Sequence, residues 1–189
     1  MAGGPVYFVS DAHFSARARS AEREKRQRFL RFLEGLAGAA QLYVVGDLFD
    51  FWFEYRRVVP AGFAEILHPL RALALSGTPV TLIGGNHDYW LGSHLVDDYG
   101  FRLAPDGLVV EHQGRRLRVD HGDESLSGDR GYLALKAVIR RPAFVAAARL
   151  LHPDFTFWAA DRLSQGSRWL EGREEERGQR PRPLRLRRA

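Results

Sequence analysis

Short apolar runs alternate along this chain with longer amphipathic stretches, and a polar cluster follows each run. Val6–Ser10, Leu42–Val45 and Val80–Ile83 are compact apolar runs of the kind that form buried strands. Between the first two, Phe29, Leu33, Leu36 and Ala37 fall on one stripe while Arg23, Lys25, Arg26 and Arg28 dress the other faces, which predicts a helix from Ser20 to about Gly38. After Pro60, the positions Phe63, Ile66, Leu67, Leu70, Leu73 and Ala74 keep helical spacing until Gly77 and Pro79 stop it. Strand, helix, strand, helix, strand predicts a parallel α/β sheet with right-handed crossovers. Leu108–Glu111 and Arg116–Val119, separated by Gln113-Gly114, predict a hairpin. Arg130 to Leu170 reads as helical, broken at Arg141-Pro142 and at His152-Pro153. From Glu171 onward the chain carries no strand pattern and no apolar periodicity.

The polar clusters at the strand ends carry the candidate chemistry. Asp11-Ala12-His13 follows the first strand, and Gly46-Asp47-Leu48-Phe49-Asp50 the second. Gly84-Gly85-Asn86-His87-Asp88 follows the third, and Asp120-His121-Gly122-Asp123 follows the hairpin. Ligands of open α/β sheets sit beyond the carboxyl ends of the strands. Carboxylate, carboxamide and imidazole groups brought together there make a donor set for hard divalent cations. Asp11 and His13 reach one ion if the chain bends at Ala12. The missing side chain of Gly46 lets a ligand approach Asp47. His87 is placed beside a carboxamide, where it could donate a proton to a leaving group.

Composition narrows the classes. A chain of 189 residues suits one domain with a real core. There is no cysteine, so disulfides and thiolate metal sites are excluded. No apolar run reaches the roughly 18 residues of a membrane span, and Met1-Ala2-Gly3-Gly4-Pro5 lacks the basic and apolar regions of a secretory signal. The expected location is therefore cytoplasmic. The net charge of +5 sits in the last twelve residues, where Arg180, Arg182, Arg185, Arg187 and Arg188 stand with no acid. The rest of the chain is neutral, which speaks against duplex nucleic-acid binding. The tail itself reads as a solvated charge run rather than a contact with acidic lipid or nucleic acid.

Taken together, Asp-x-His, Gly-Asp, Gly-Asn-His-Asp and His-Gly-Asp, in this order and at strand ends, resemble the calcineurin-like metallophosphoesterases. The resemblance covers Val6 to roughly Trp169. It implies an α/β fold, a β-sandwich flanked by helices, with a metallophosphoesterase domain over 1–170, a helical cap insert at about 128–170, and a basic, disordered tail over 171–189. It further implies two divalent metal ions, manganese foremost, held by Asp11, His13, Asp47, Asn86 and His121, with Asp47 bridging. His87 and Asp88 would be the catalytic, proton-handling pair. Such cation pairs, about 3.5–4 Å apart, catalyse phosphoryl transfer.

Gly46-Asp47-Leu48-Phe49-Asp50-Phe51-Trp52 and the helical insert after His121-Gly122-Asp123 look like those of the UDP-2,3-diacylglucosamine diphosphatases of lipid A synthesis. This implies cleavage of a pyrophosphate to give UMP and 2,3-diacylglucosamine 1-phosphate, with acyl chains in a groove of the cap. It implies substrate contacts at Asp129, Ser164, Ser167 and Arg168, and peripheral contact with the inner membrane surface. Arg130–Leu170 is apolar enough to hold lipid and basic enough to rest on anionic headgroups; a core-packed helical pair fits its sequence equally.

The chain departs from the family pattern twice. Many diphosphatases carry Arg where this chain has His87, whereas the wider superfamily has His. The superfamily's closing Gly-His-x-His motif is also missing, since the last histidine is His152. The resemblance then implies missing C-terminal strands and one imidazole fewer for each metal. Two alternatives stand beside the diphosphatase reading: a metallophosphoesterase for nucleotides or phosphodiesters, and an inactive, truncated remnant with binding capacity only.

Overall fold

A computed structural model describes residues 4–16, 20–122, 130–160 and 162. It forms a parallel four-stranded sheet, β1 (Val6–Val9), β2 (Gln41–Val45), β3 (Val80–Ile83) and β4 (Arg102–Ala104), with neighbours in that order. Helices α1 (Ser20–Glu34) and α2 (Ala64–Leu75) make the first two crossovers, and the short α3 (Ser93–Asp97) precedes β4. The central strands are buried almost throughout, whereas the edge strands β1 and β4 are partly open. Strands covered on both faces read as continuous apolar runs, and that is why β2 and β3 are plain in the sequence.

Each sheet face has its own cover. Leu42, Val44, Val80 and Leu82 pack with Phe29 and Leu33 of α1 and with Ile66, Leu67, Leu70 and Leu73 of α2. On the other face, Tyr43 and Ile83 meet Leu108, Val110, Leu117 and Val119. These last four belong to an antiparallel hairpin of β5 (Leu108–His112) and β6 (Arg115–Val119). Its turn residues Gln113 and Gly114 have φ of 52° and 72°. Positive φ at both turn positions matches the right-handed twist of the flanking strands.

Helix α1 stops at Glu34, four residues short of the expected end. The short α3 and β4 carry too few residues for a periodic signal, and the sequence reading has neither. Helices α4 (Arg130–Ile139) and α5 (Pro142–Ala148) begin and break as the Arg141-Pro142 step predicts. Trp90 Nε1 donates to the Ile139 carbonyl at 3.1 Å, and the Arg140 guanidinium lies 3.8 Å from the centre of the Tyr89 ring, so α4 is docked beside the loop after β3. The chain from Leu151 onward belongs to a second compact unit. Within it, 153–160 is helical and carries Phe155 stacked on Trp158. No helix among the described residues is long and apolar enough to cross a membrane. The expected substrate contacts Asp129, Ser164, Ser167 and Arg168, and the tail 171–189, lie outside the described residues.

Candidate metal centre

The strand ends arrive level. Val9 pairs with Val44, and Val45 pairs with Ile83, so the loops after β1, β2 and β3 leave the sheet along one edge. Past that edge the first two loops continue side by side. The N–H groups of Asp11, His13 and Phe14 donate to the carbonyls of Gly46, Asp47 and Leu48 at 3.2, 2.8 and 2.9 Å. Asp11, His13 and Asp47 all adopt positive φ, at 55°, 45° and 53°. Such φ values are uncommon outside glycine and cluster where a site fixes the backbone. The only other non-glycine case among the described residues is Gln113 in the hairpin turn.

Asp47 is the hub. It is 3% exposed, and its Oδ1 accepts the backbone N–H of His87 at 2.9 Å. Its Oδ2 lies 3.4 Å from His121 Nε2 and 3.6 Å from His13 Nε2. His121 is aimed by its other nitrogen: Nδ1–H donates to the Val45 carbonyl at 3.0 Å, which presents Nε2 to Asp47 and to Asn86 Oδ1, 3.3 Å away. A metal-binding imidazole is commonly oriented in this way. His87 is aimed likewise, with Nδ1–H donating to the Asp50 carbonyl at 2.9 Å. Its ring stands edge-on to His13, with centroids 4.8 Å apart.

Two donor trios result. One is Asp11, Asp47 and His121; the other is His13, Asp47 and His87, and in each the ligand atoms lie within 4.8 Å of one another. Mixed carboxylate and imidazole donors at this spacing fit divalent transition ions. Asp47 serves both trios. Asn86 brings its carboxamide oxygen to the first of them through its contact with His121.

Two glycines make this possible. A Cβ on Gly85 would run into the Asp47 carboxylate and backbone nitrogen. One on Gly46, where φ is 75°, would sit 2.5 Å from His121 Nδ1. The close approach at Gly46 is therefore that of an imidazole.

The charges respond to this crowding. Burial works to raise the Asp47 carboxyl, but the hydrogen bond with His121, the His87 N–H and the nearby imidazoles hold it below the usual carboxylate value. Burial works to lower His121, yet Asp47 and the Val45 carbonyl bring it up to about 9. These opposite shifts favour a protonated His121 beside an ionised Asp47. His13 is lowered, by burial first and by His87, against the pull of Asp47.

Of the residues expected at the site, Asp11, His13, Asp47, Asn86, His87 and His121 come together. Asp88 stands elsewhere than the proton-handling expectation put it. It is 1% exposed, and its carboxylate is turned to the backbone: Oδ1 accepts from Asp47 N at 3.1 Å and Gly85 N at 2.9 Å, and Oδ2 accepts from Phe49 N at 3.2 Å. It ties the loop after β2 to the loop after β3. Burial and the Asp47 charge raise its carboxyl to about 6, against the pull of those three N–H donors. The sequence reading missed Asp50, whose Oδ1 lies 3.8 Å from His13 Nδ1 and whose carbonyl orients His87. The signal was present, since Asp50 closes the quoted Gly-Asp-Leu-Phe-Asp cluster.

A family model described as calcineurin-like phosphoesterase matches residues 4–161. The UDP-2,3-diacylglucosamine hydrolase of Porphyromonas gingivalis is 35% identical over 165 residues, covering 86% of this chain and 63% of that protein. The protein of the same name from Stenotrophomonas maltophilia is 37% identical over 140 residues, covering 74% and 54%. One from Escherichia coli is 35% identical over 136 residues, covering 71% and 55%. The chain thus spans a little over half the length of these curated relatives. Among solved structures, a protein of unknown function from Aquifex aeolicus aligns with a TM-score of 0.44 at 19% identity, covering 71% of this chain and 70% of that one.

Proposed function

The chain belongs to the calcineurin-like phosphoesterase family, and from that premise we propose that it hydrolyses a phosphoric anhydride with the help of two divalent cations held across Asp47. The observation that carries this reading is the sharing of one buried carboxylate by two donor trios. On this reading one cation is held by Asp11, Asp47, His121 and the Asn86 carboxamide, and the other by His13, Asp47 and His87. When bound, such a pair supplies Lewis acidity toward phosphoryl oxygens and makes water acidic near neutral pH.

The chain's own groups do the rest. The Val45 and Asp50 carbonyls engage Nδ1 of His121 and of His87, which leaves Nε2 of each as the donor atom for a cation. His87, its ring edge-on to His13, would join His13 and Asp47 around the second cation. Asp88 keeps the Asp47 and Gly85 backbones in register and takes no part in proton transfer.

The proposed substrate is UDP-2,3-diacylglucosamine, and the products are UMP and 2,3-diacylglucosamine 1-phosphate. The names of the relatives support this choice. The exposed Val138 and Phe144, with the exposed Arg141 between them in sequence, support a lipid-facing role for the helices after the hairpin, with peripheral contact at a cytoplasmic membrane face. Manganese is the proposed metal.

The test is incubation of the full chain with UDP-2,3-diacylglucosamine and Mn2+, following UMP release by phosphorus NMR. UMP formation that stops with EDTA and with Asp47→Asn supports the reading. Hydrolysis of bis(p-nitrophenyl) phosphate without UMP release moves the substrate to phosphodiesters. Mn2+ uptake without turnover of either leaves a binding protein, and no uptake at all removes the metal centre.

A further inference from the structure

Helix α1 belongs to none of the strand-end clusters, yet three of its charged side chains end on the loop that bears Asp11 and His13. Lys25 Nζ donates to the His13 carbonyl. Arg26 Nη2 donates to the Ser15 carbonyl, and its Nη1 reaches Glu65 of α2 at 2.9 Å. Glu22 Oε1 accepts the Ser15 N–H at 3.0 Å and lies 3.3 Å from Arg26 Nε. Lys25 also pairs with Glu22 Oε2 at 3.0 Å. Glu22 and Arg26 are only 8% and 6% exposed. Burying an ion pair is costly unless its hydrogen-bonding capacity is met, and here much of that capacity is met by backbone groups of the Asp11–Ser15 loop.

That loop needs restraint. Asp11 and His13 both sit at positive φ, and their inner side is held by the Gly46 and Asp47 carbonyls. The α1 side chains hold the same segment from its outer side.

Resting on the metal reading above, we propose that Glu22, Lys25 and Arg26 are positioning residues, which fix the Asp11–Ser15 backbone so that the Asp11 and His13 donors meet Asp47 already placed. None of the three belongs to either donor trio. Charge alone and positioning make opposite demands on Lys25. Its ammonium repels a divalent ion bound nearby, so removing it would tighten binding if charge were its only influence. If it positions the loop, removing it weakens binding.

The experiment is calorimetric titration of the full chain with Mn2+, comparing wild type, Lys25→Met, Lys25→Arg and Arg28→Met. Lys25 is partly exposed and its stem survives as Met, so the variant keeps its packing. Arg28 pairs with Glu24 on the exposed face of the same helix, and its replacement makes the same change in net charge. Thermal melts of each variant give the folded fraction. Orienting groups behind metal ligands are typically worth about 10- to 100-fold in affinity. The expected result is a loss of about that size in Lys25→Met, recovery in Lys25→Arg, and wild-type affinity in Arg28→Met. Equal or tighter binding by Lys25→Met overturns the proposal, as does a loss matched by the unfolded fraction. If the wild type takes up no Mn2+, the metal reading falls and the positioning role falls with it. If the wild type binds and Lys25→Met binds equally, only the positioning role falls.

Discussion

Replacing Asp88 by Asn removes a buried charge and keeps the shape. In the native chain three N–H donors converge on this carboxylate, from Asp47, Gly85 and Phe49, at 3.1, 2.9 and 3.2 Å. Burial and the neighbouring Asp47 nevertheless raise its pKa from 3.8 to about 6. The folded chain therefore holds this proton more tightly than the unfolded chain. Its contribution to stability is complete below pH 4 and is lost as pH rises through 6. A gap of about two units, at 1.36 kcal/mol each, amounts to about 3 kcal/mol. Asparagine keeps one acceptor and turns an NH2 toward a backbone N–H, a loss of about 1–3 kcal/mol at every pH. The variant is thus less stable than wild type at pH 4, and that deficit closes or reverses by pH 7. Urea unfolding in EDTA at pH 4, 5, 6 and 7 measures the difference, which should move by about 3 kcal/mol in favour of the Asp88→Asn variant as pH rises. A difference flat to within about 1 kcal/mol would refute the reasoning, because the carboxyl would then titrate alike in both states.

Three other outcomes follow from the same geometry. Gly85→Ala should abolish Mn2+ uptake by displacing the Asp47 carboxylate, with an overpacking cost of about 1–3 kcal/mol in a thermal melt; undiminished uptake would contradict the close approach. Because His121 is raised to about 9, a cation must displace its proton below that pH. Mn2+ affinity should then climb about tenfold per pH unit from 7 toward 9, with one proton released on calorimetry in two buffers; pH-independent affinity would speak against the His121–Asp47 bridge. Leu42→Ala, at a fully buried position in the central strand, should cost about 2–5 kcal/mol in urea unfolding, and a loss under about 1 kcal/mol would place Leu42 outside the core.

The sequence was most legible where burial was most uniform. Val80–Ile83 is buried at all four positions and reads as an unbroken apolar run. The three residues of β4 and the five of α3 give no period to count. At the site, residue types and order brought out the donors, because each follows a strand end. Direction was not legible. Asp88 is adjacent to His87 in sequence, yet its carboxylate turns to backbone amides about forty residues away as well as to Gly85. Partners from other elements were equally hidden. His112 Nε2 of the hairpin shares a 2.7 Å hydrogen bond with the Tyr43 hydroxyl of β2, sixty-nine residues away. The contacts of Lys25 and Arg26 with the first loop depend on how α1 lies against the sheet, and no local spacing encodes that.

The alignment Val9↔Val44 and Val45↔Ile83 also sorts the chain by its tolerance to length change. One residue inserted within β3 would carry Asn86 about 3.3 Å along the strand and flip every later side chain to the opposite face. An insertion at Ser76-Gly77, where a turn joins α2 to β3 at the far end of the sheet, leaves that alignment intact. Natural length variants of this chain should therefore accumulate at one rim of the sheet and be purged from the other.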